Sequence, residues 1–398
     1  MKVSPHPLAR AIVATGMASH HRWTGRRTRR ADAYTAAAAL GRAPRIDRDH
    51  PAVILGYSSL FPPDASERDL PDANAARALV AQGRPEILAW MQRRRERLLE
   101  HFGNEVAPSL DRAGDAFVLG LARLGLRHGS FGSDFHVYHN EGHVLEIADR
   151  RLRAYEAVLG YAALPLDDWL KLALFAACHD LRQREPIDVP GPVGGNEAAS
   201  IAETLRILDT CGYSREHDRM LYVAMELMIA GSTFGMFARP LSNSAEAAVG
   251  GGALARHLPG WLDQVAPEWR QDPAVEPALI LARIAADLDT ANAGESFPEL
   301  ADSAVRLCSE REMRERRALD APASARPCLG FLSDGQERYF FELHHFSSRE
   351  GERVFGAGKI ANAPRVRAVS AALRAQFATE PPANGDAVIA AYRQLSGC

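Results

Sequence analysis

The chain has 398 residues, of which 46% are hydrophobic and 24% charged, a globular composition that leaves room for a large core. Its formal net charge of -3 provides no basic surface of the kind that binds nucleic acid or anionic membranes. No run approaches the roughly 20 apolar residues of a membrane span. Five widely spaced cysteines contain no C-x-x-C pair, which favours a reducing compartment. The sequence therefore predicts a cytoplasmic protein with neither a nucleic-acid nor a membrane partner.

Residues 1–84 mix Pro, Gly, Asp and Ala without sustained periodicity. We interpret them as a partly irregular N-terminal extension whose role the sequence does not specify. Covering an active site, supporting a homodimer and remaining disordered all stay open for this segment.

Beyond residue 84, helical periodicity dominates and no alternating strand pattern of useful length intervenes. The predicted helices span 86–101, 113–127, 143–159, 167–179, 196–209, 214–229, 275–289, 299–319, 333–346, 363–377 and 386–395. The sequence thus predicts an all-α domain over 85–398.

Histidine and aspartate recur along this helical domain in an order that suits a divalent metal. The chain reads Tyr138-His139-Asn140-Glu141-Gly142-His143, then His179-Asp180, then Asp287. His143 lies near the start of one predicted helix, His179-Asp180 at the end of another and Asp287 late in a third. Imidazole and carboxylate together suit Zn, Fe or Mn, and a carboxylate can bridge to a harder second ion such as Mg. These residues therefore predict a metal site at converging helix ends.

The same residues carry a resemblance to the HD superfamily of metal-dependent phosphohydrolases. Within it, the chain resembles the class I 3′,5′-cyclic nucleotide phosphodiesterases, whose signature begins YHN-x-x-H, over roughly residues 131–346. The resemblance implies a helical-bundle fold and two divalent ions: Zn, Fe or Mn in the first site and Mg or Mn in the second. It implies His143, His179, Asp180 and Asp287 as ligands of the first ion, with Asp180 bridging to the second.

The implied reaction is hydrolysis of a cyclic nucleotide to the linear nucleoside monophosphate. A hydroxide that bridges the two ions attacks the phosphorus in line, and His139 acts as general acid toward the departing 3′ oxygen. Asp180 is thereby catalytic as well as a ligand. Glu141 or another acidic side chain is a candidate to hold the His139 tautomer. The implied partner is a small nucleotide.

The resemblance also indicates where the base and the second ion would bind. In the family a glutamine and an aromatic three residues later bind the nucleobase, and Gln336 with Tyr339 or Phe340 offers a similar pair. We add Tyr138 to the substrate-binding candidates. An amphipathic helix with core aromatics explains the Gln336 segment equally well. The family's His and Pro-Gly after the HD pair are absent here, and Glu197 or Glu203 is the candidate that orients a second-ion water.

Two alternatives stay open at this point. The chain is either a different HD phosphohydrolase, such as a nucleotidase or an alarmone hydrolase, or an HD scaffold that senses a ligand without catalysis. Oxygenase chemistry is a minority interpretation, because the two extra histidines it needs between the HD pair and the last aspartate lack matching spacing.

Overall fold

Helices make up nearly all the regular structure of the protein, as the computed structural model shows over its described residues, 54–186, 189, 191–235 and 252–398. In these ranges the one sheet is a short antiparallel pair, β1 (Phe234–Gly235) with β2 (Gly252–Ala253). The predicted all-α class is confirmed. Among the same residues, no helix combines the length and apolar character needed to cross a bilayer.

The first half of the chain supplies nine α-helices within the described ranges. They are α1 (Ala65–Asp69), α2 (Ala73–Gly83), α3 (Pro85–Phe102), α4 (Ala107–His128), α5 (Glu141–Leu145), α6 (Leu152–Leu159), α7 (Leu166–Cys178), α8 (Gly195–Thr210) and α9 (Arg219–Ser232). A wider π-helical turn, Glu146–Arg151, connects α5 directly to α6.

The second half continues in the same manner. Its helices are α10 (Leu258–Val265), α11 (Val275–Asp289), α12 (Phe297–Arg314), α13 (Ala325–Gly330), α14 (Gln336–Arg338), α15 (Arg349–Gln376) and α16 (Gly385–Ser396). The predicted helix at 333–346 is instead a series of short turns, with π-helical segments Phe331–Gly335 and Tyr339–Leu343 on either side of α14.

Two hydrophobic clusters hold these helices together. The larger one has α9 and α11 at its centre, with α4, α7 and α8 around them, and includes the fully buried Leu172, Leu227 and Ile284. The smaller one gathers α12, α13, α15 and α16 around residues such as Leu332 and Leu373. Since α11 belongs to the first cluster and α12 to the second, the turn between them joins the two clusters.

Residues 54–84 of the predicted extension form two helices rather than irregular chain. Asp64 and Asp72 cap α1 and α2 by accepting backbone N–H groups, and this local signal marks a helix start. Phe61 and Val80 are fully buried in the larger cluster. Residues 1–53 lie outside the described residues.

Helix α15 begins well before the predicted start at residue 363 and contains Pro364. Its sequence holds glycines that lower helix propensity, but tertiary contact requires them. A Cβ on Gly358 would lie 2.0 Å from the carbonyl oxygen of Gly294, and one on Gly351 would lie 2.2 Å from Asp287 Oδ2. The glycines therefore allow α15 to press against the turn that follows α11.

Candidate metal centre

Three buried or half-buried side chains meet where α5, α7 and α11 come together. His143 Nε2 lies 3.1 Å from Asp289 Oδ1, and His179 Nε2 lies 3.4 Å from the same oxygen. We call His143, His179 and Asp289 the central group. Asp180 adjoins it, with Oδ2 3.0 Å from His179 Nε2 and 3.8 Å from His143 Nε2.

Helix ends position these ligands, as the sequence predicted. Asn140 caps α5 through a 2.7 Å bond from the Gly142 N–H, which places His143 one turn further on. His179 and Asp180 directly follow the last residue of α7, and Asp289 is the last residue of α11. Converging helix ends let adjacent residues of one segment, His179 and Asp180, face the same point.

The aspartate of α11 in this group is Asp289, not Asp287, which corrects the sequence-based assignment. Residues two apart on a helix point roughly 200° apart. The Asp287 carboxylate therefore faces the start of α15, where it accepts the N–H groups of Ser347 at 2.5 Å and Ser348 at 2.8 Å and the Ser348 hydroxyl at 2.6 Å. Asp287 is a helix anchor, and its oxygens are fully used there.

A buried arginine fixes the end of α11. Arg151 is fully buried and donates to the carbonyl oxygens of Leu288 at 2.8 Å and Asp289 at 2.6 Å. It also pairs with the carboxylate of Glu295 at 3.1 Å. Because these carbonyls have no partner within the helix, Arg151 satisfies them and sets the direction in which Asp289 leaves it.

Both histidines are held through their other ring nitrogen. His143 Nδ1 lies 3.4 Å from Glu146 Oε2, and Glu146 is in turn paired with Arg306 at 2.6 Å. His179 Nδ1 lies 3.3 Å from the Ala176 carbonyl oxygen, to which it can only donate. Such contacts select the tautomer that presents Nε2 to a metal.

The geometry of the central group suits a bound cation. His179 Nε2 is buried and makes no hydrogen bond within the described structure, although two carboxylate oxygens lie within 3.4 Å of it. Two ligand atoms that each lie about 2.0–2.1 Å from a tetrahedral zinc are about 3.3 Å apart. The spacings between nitrogen and oxygen here bracket that value, so the donor set fits a divalent ion.

The electrostatics agree with this fit. Burial alone would raise the pKa of Asp180, but His179 and then His139 lower it to about 2. Burial would likewise raise the pKa of Asp289, but the adjoining imidazoles of His143 and His179 bring it below its usual range. Against the effect of burial, Asp180 and Asp289 raise the pKa of His179 well above its usual value. The group therefore favours positive charge at its centre.

His139 lies beside the central group and contacts the carboxylate of Glu310, which the sequence did not identify. Its Nδ1 lies 2.6 Å from Glu310 Oε1, and the backbone N–H groups of Tyr138 and His139 donate to Oε2 at 2.9 and 3.0 Å. Burial acts to lower the pKa of His139, but Asp180 and Glu310 raise it. The His139 side chain is 21% exposed, so it remains accessible to a ligand.

Glu310, and not the expected Glu141, is the acidic residue that contacts the His139 ring. The carboxylate of Glu141 instead binds Arg84 at 3.1 Å and the Ser130 N–H. Glu310 lies in α12 and is also paired with Arg314 at 2.9 Å. Nothing in the sequence distinguishes Glu310 from other glutamates of the same helix, because the contact with His139 spans 171 positions.

A second group of ligand-type residues, His128, Asp134 and His136, lies at the end of α4 and in the loop that leads to α5. Asp134 Oδ2 is 3.3 Å from His136 Nε2 and 3.5 Å from His128 Nδ1. We call these three residues the loop group. Sequence analysis did not include them, since two histidines eight positions apart in a glycine-containing segment match no ligand motif.

The two glutamates proposed for a second ion have different environments. Both lie in α8, and only Glu197 shares the field of the central group: burial raises its pKa, and the carboxylates of Asp180 and Asp289 raise it further. Glu203 is fully buried among arginines, 3.0 Å from Arg127 and 3.6 Å from Arg182. These ion pairs account for Glu203 as a structural anion, so we remove it from the second-ion candidates.

The proposed substrate-binding residues are mostly packing residues. Phe340 is 2% exposed in the smaller hydrophobic cluster, which excludes it from stacking on a base. Tyr138 is buried with its ring centroid 4.6 Å from that of His143, so it supports that ligand from behind. Gln336 is buried as well. Tyr339 donates to Asn292 Oδ1 at 3.0 Å, beside the end of α11.

No family model, curated protein or solved structure matches the chain. The interpretation of this centre therefore depends on its own geometry. That geometry is compatible with an HD-like site on a helical scaffold.

Proposed function

We propose that the chain is a metal-dependent phosphohydrolase whose active site is the central group with Asp180 and His139. The observation that carries this proposal is a cation-favouring cluster of two imidazoles and two carboxylates with a carboxylate-held histidine beside it. A cluster of ligands alone would suit a structural ion. A partly exposed histidine that is held by a carboxylate at its other nitrogen adds a proton donor, which a structural site does not need.

His143, His179, Asp180 and Asp289 would hold the ion. A divalent ion bound there supplies a Lewis acid for a phosphoryl oxygen and lowers the pKa of water. The protein's own contribution is orientation: Glu146 holds His143, the Ala176 carbonyl holds His179, and Arg151 fixes the end of α11. Charge and position are thus set before a substrate arrives.

His139 serves as the general acid. Its Nδ1–H donates to Glu310, so the proton available for transfer is the one on Nε2. Asp180 and Glu310 raise its pKa, which keeps the ring protonated nearer to neutral pH. Protonation of the departing oxygen by His139 avoids an alkoxide leaving group.

The substrate we propose is a cyclic nucleotide, with conversion to the linear nucleoside monophosphate. The HD-type order of ligands and the signature Tyr138-His139-Asn140 support this choice, together with the aromatic Tyr339, which contacts Asn292 just beyond the end of α11. For a second ion of the Mg or Mn type, we propose Asp180 and Glu197 as the carboxylate ligands, since the Asp180 charge acts on Glu197 and helps to raise its pKa.

A broader HD-type nucleotide phosphohydrolase is the second candidate. One observation favours it: Phe340, one of the two alternative aromatics expected to stack on a base, is buried in the hydrophobic core. A pocket without that stacking face would discriminate less between nucleobases and between cyclic and linear phosphates.

The test is hydrolysis of a panel of 3′,5′-cyclic nucleotides and linear nucleotides by the full chain, with Mn or Mg and with a chelator. We expect chelator-sensitive conversion of a cyclic nucleotide, lost in Asp289→Asn and retained in Asp320→Asn, a matched change at an exposed carboxylate. Activity on linear nucleotides alone would select the second candidate. Activity on neither, or equal activity in both variants, would overturn the proposal.

A further inference from the structure

The loop group is assembled by the backbone as well as by its side chains. Helix α4 ends at His128, and the chain returns so that the His136 N–H donates to the His128 carbonyl at 2.8 Å. The Asn140 side chain then donates to the His136 carbonyl at 2.5 Å. These bonds bring the two imidazole centroids to 4.3 Å from each other. The pair of histidines is therefore built into the fold.

The His128 imidazole is buried without hydrogen-bond partners among the described residues. Its side chain is 6% exposed, and neither ring nitrogen has a hydrogen-bond partner within the described structure. A buried imidazole without partners is costly, because water no longer satisfies its donor and acceptor. Its Nδ1 faces Asp134 Oδ2 across 3.5 Å, which is long for a hydrogen bond.

The distances between the side-chain atoms of the loop group instead match those between the ligands of a metal ion. The distances of 3.3 and 3.5 Å from Asp134 Oδ2 to the two imidazoles are close to the about 3.3 Å that separates two ligand atoms on a tetrahedral zinc. Arg184 binds the other oxygen of Asp134 at 3.1 Å, so Oδ2 is the one left for an ion. The Asp134 side chain is 43% exposed, which gives an ion a route from solvent.

His136 has the second contact typical of a metal ligand. Its Nε2 faces Asp134, while its Nδ1 lies 3.2 Å from Glu310 Oε1. A carboxylate on the distal nitrogen of a ligating histidine fixes its tautomer and raises its basicity. The same Glu310 oxygen also holds His139, so one carboxylate supports a residue of each group.

We propose that His128, Asp134 and His136 bind a divalent transition-metal ion, with zinc the best match to two imidazoles and one carboxylate, at a site separate from the central group. Three protein ligands leave a fourth position for water or another small donor. Glu310 connects the two sites, since an ion on His136 Nε2 commits the Nδ1–H of that ring to the carboxylate that orients His139.

The experiment measures zinc content of the full chain after stripping, reconstitution with zinc and removal of free ion. The background is Asp289→Asn, which disables the central group. In it we expect about one equivalent of zinc to remain. His128→Ala and Asp134→Asn should each remove that equivalent, whereas His217→Ala, at an exposed histidine, should not. Asp134→Asn alters a half-exposed side chain, so it keeps the test valid if His128→Ala fails to fold.

Cobalt added to the same variants gives an independent reading, because its visible absorption reports the coordination number and geometry of the bound ion. The absorption of the Asp289→Asn protein should weaken or vanish with His128→Ala and persist with His217→Ala. Equal zinc and equal absorption in the His128, Asp134 and His217 variants would overturn the loop site. Since neither readout uses catalysis, failure of the proposed hydrolase activity would leave this result distinguishable.

Discussion

The central group and the loop group contain the same residue types, yet the fold holds them in different ways. The central residues sit at the ends of three helices packed into the larger cluster, and neighbouring groups hold them in place: Glu146 contacts His143, and Arg151 binds the backbone carbonyl of Asp289. The loop ligands lie on one connection, and Asp134 is partly exposed. Packed helix ends hold side chains in the fixed positions that catalysis requires. A partly exposed loop instead suits an ion that stabilises the local structure. Three substitutions test this contrast.

The largest effect should follow from Asp289→Asn. The change removes a charge that would bind the ion, so we expect metal bound by the central group to be lost and hydrolysis to fall by roughly 10³-fold or more. Metal analysis and turnover measure this. Asp287→Asn is the matched control: it should keep metal but cost about 1–3 kcal/mol of stability in denaturant unfolding, because one amide oxygen cannot replace a carboxylate that accepts three donors. The opposite pattern would restore Asp287 as the ligand.

An intermediate effect is expected for His139→Ala. Loss of the general acid should lower turnover by roughly 10²–10⁴-fold while metal content stays unchanged. His345→Ala, at an exposed histidine, should leave both unchanged. If metal disappears together with activity in the His139 variant, His139 is a ligand and belongs to the central group.

The smallest effect, and the one that joins the two groups, should come from Glu310→Gln. Orientation of His139 would weaken, and we expect a loss of roughly 10–100-fold. Glu310 helps to raise the pKa of His139, so its neutralisation lowers that pKa and the protonated acid disappears at lower pH. The alkaline limb of the pH–rate profile should therefore shift to lower pH. Glu315→Gln, an exposed neighbour in sequence, should not shift it. If the alkaline limb of the profile does not shift, Glu310 does not help to set the pKa of the general acid His139.

Sequence patterns located His143 and His179 because each lies at a predicted helix end, and those ends are recognisable locally. They led to Asp287 instead of Asp289, since both lie at the end of α11 and only the rotation about the helix axis separates them. Glu310 was not identifiable, because its partner is 171 positions away.

The same limit applies to the fold. The helical class follows from periodicity, but the start of α15 at Arg349 does not, because glycines and Pro364 argue locally against a helix there. Close packing against Gly294 makes the glycines necessary. Helix propensity describes a segment in isolation, whereas the extent of α15 depends on its packing against the neighbouring turn.

The ligands His143 and Asp289 are separated by 146 positions along the chain. During synthesis, a ribosome must therefore produce most of the protein before the two can meet, and the emerging N-terminal half carries histidines without the aspartate that completes the group. Contacts of such long separation form late and slowly. An ion bound by the complete central group would thus be captured only after α11 has been made, and a chain that terminates before α11 would carry His143 and His179 without Asp289.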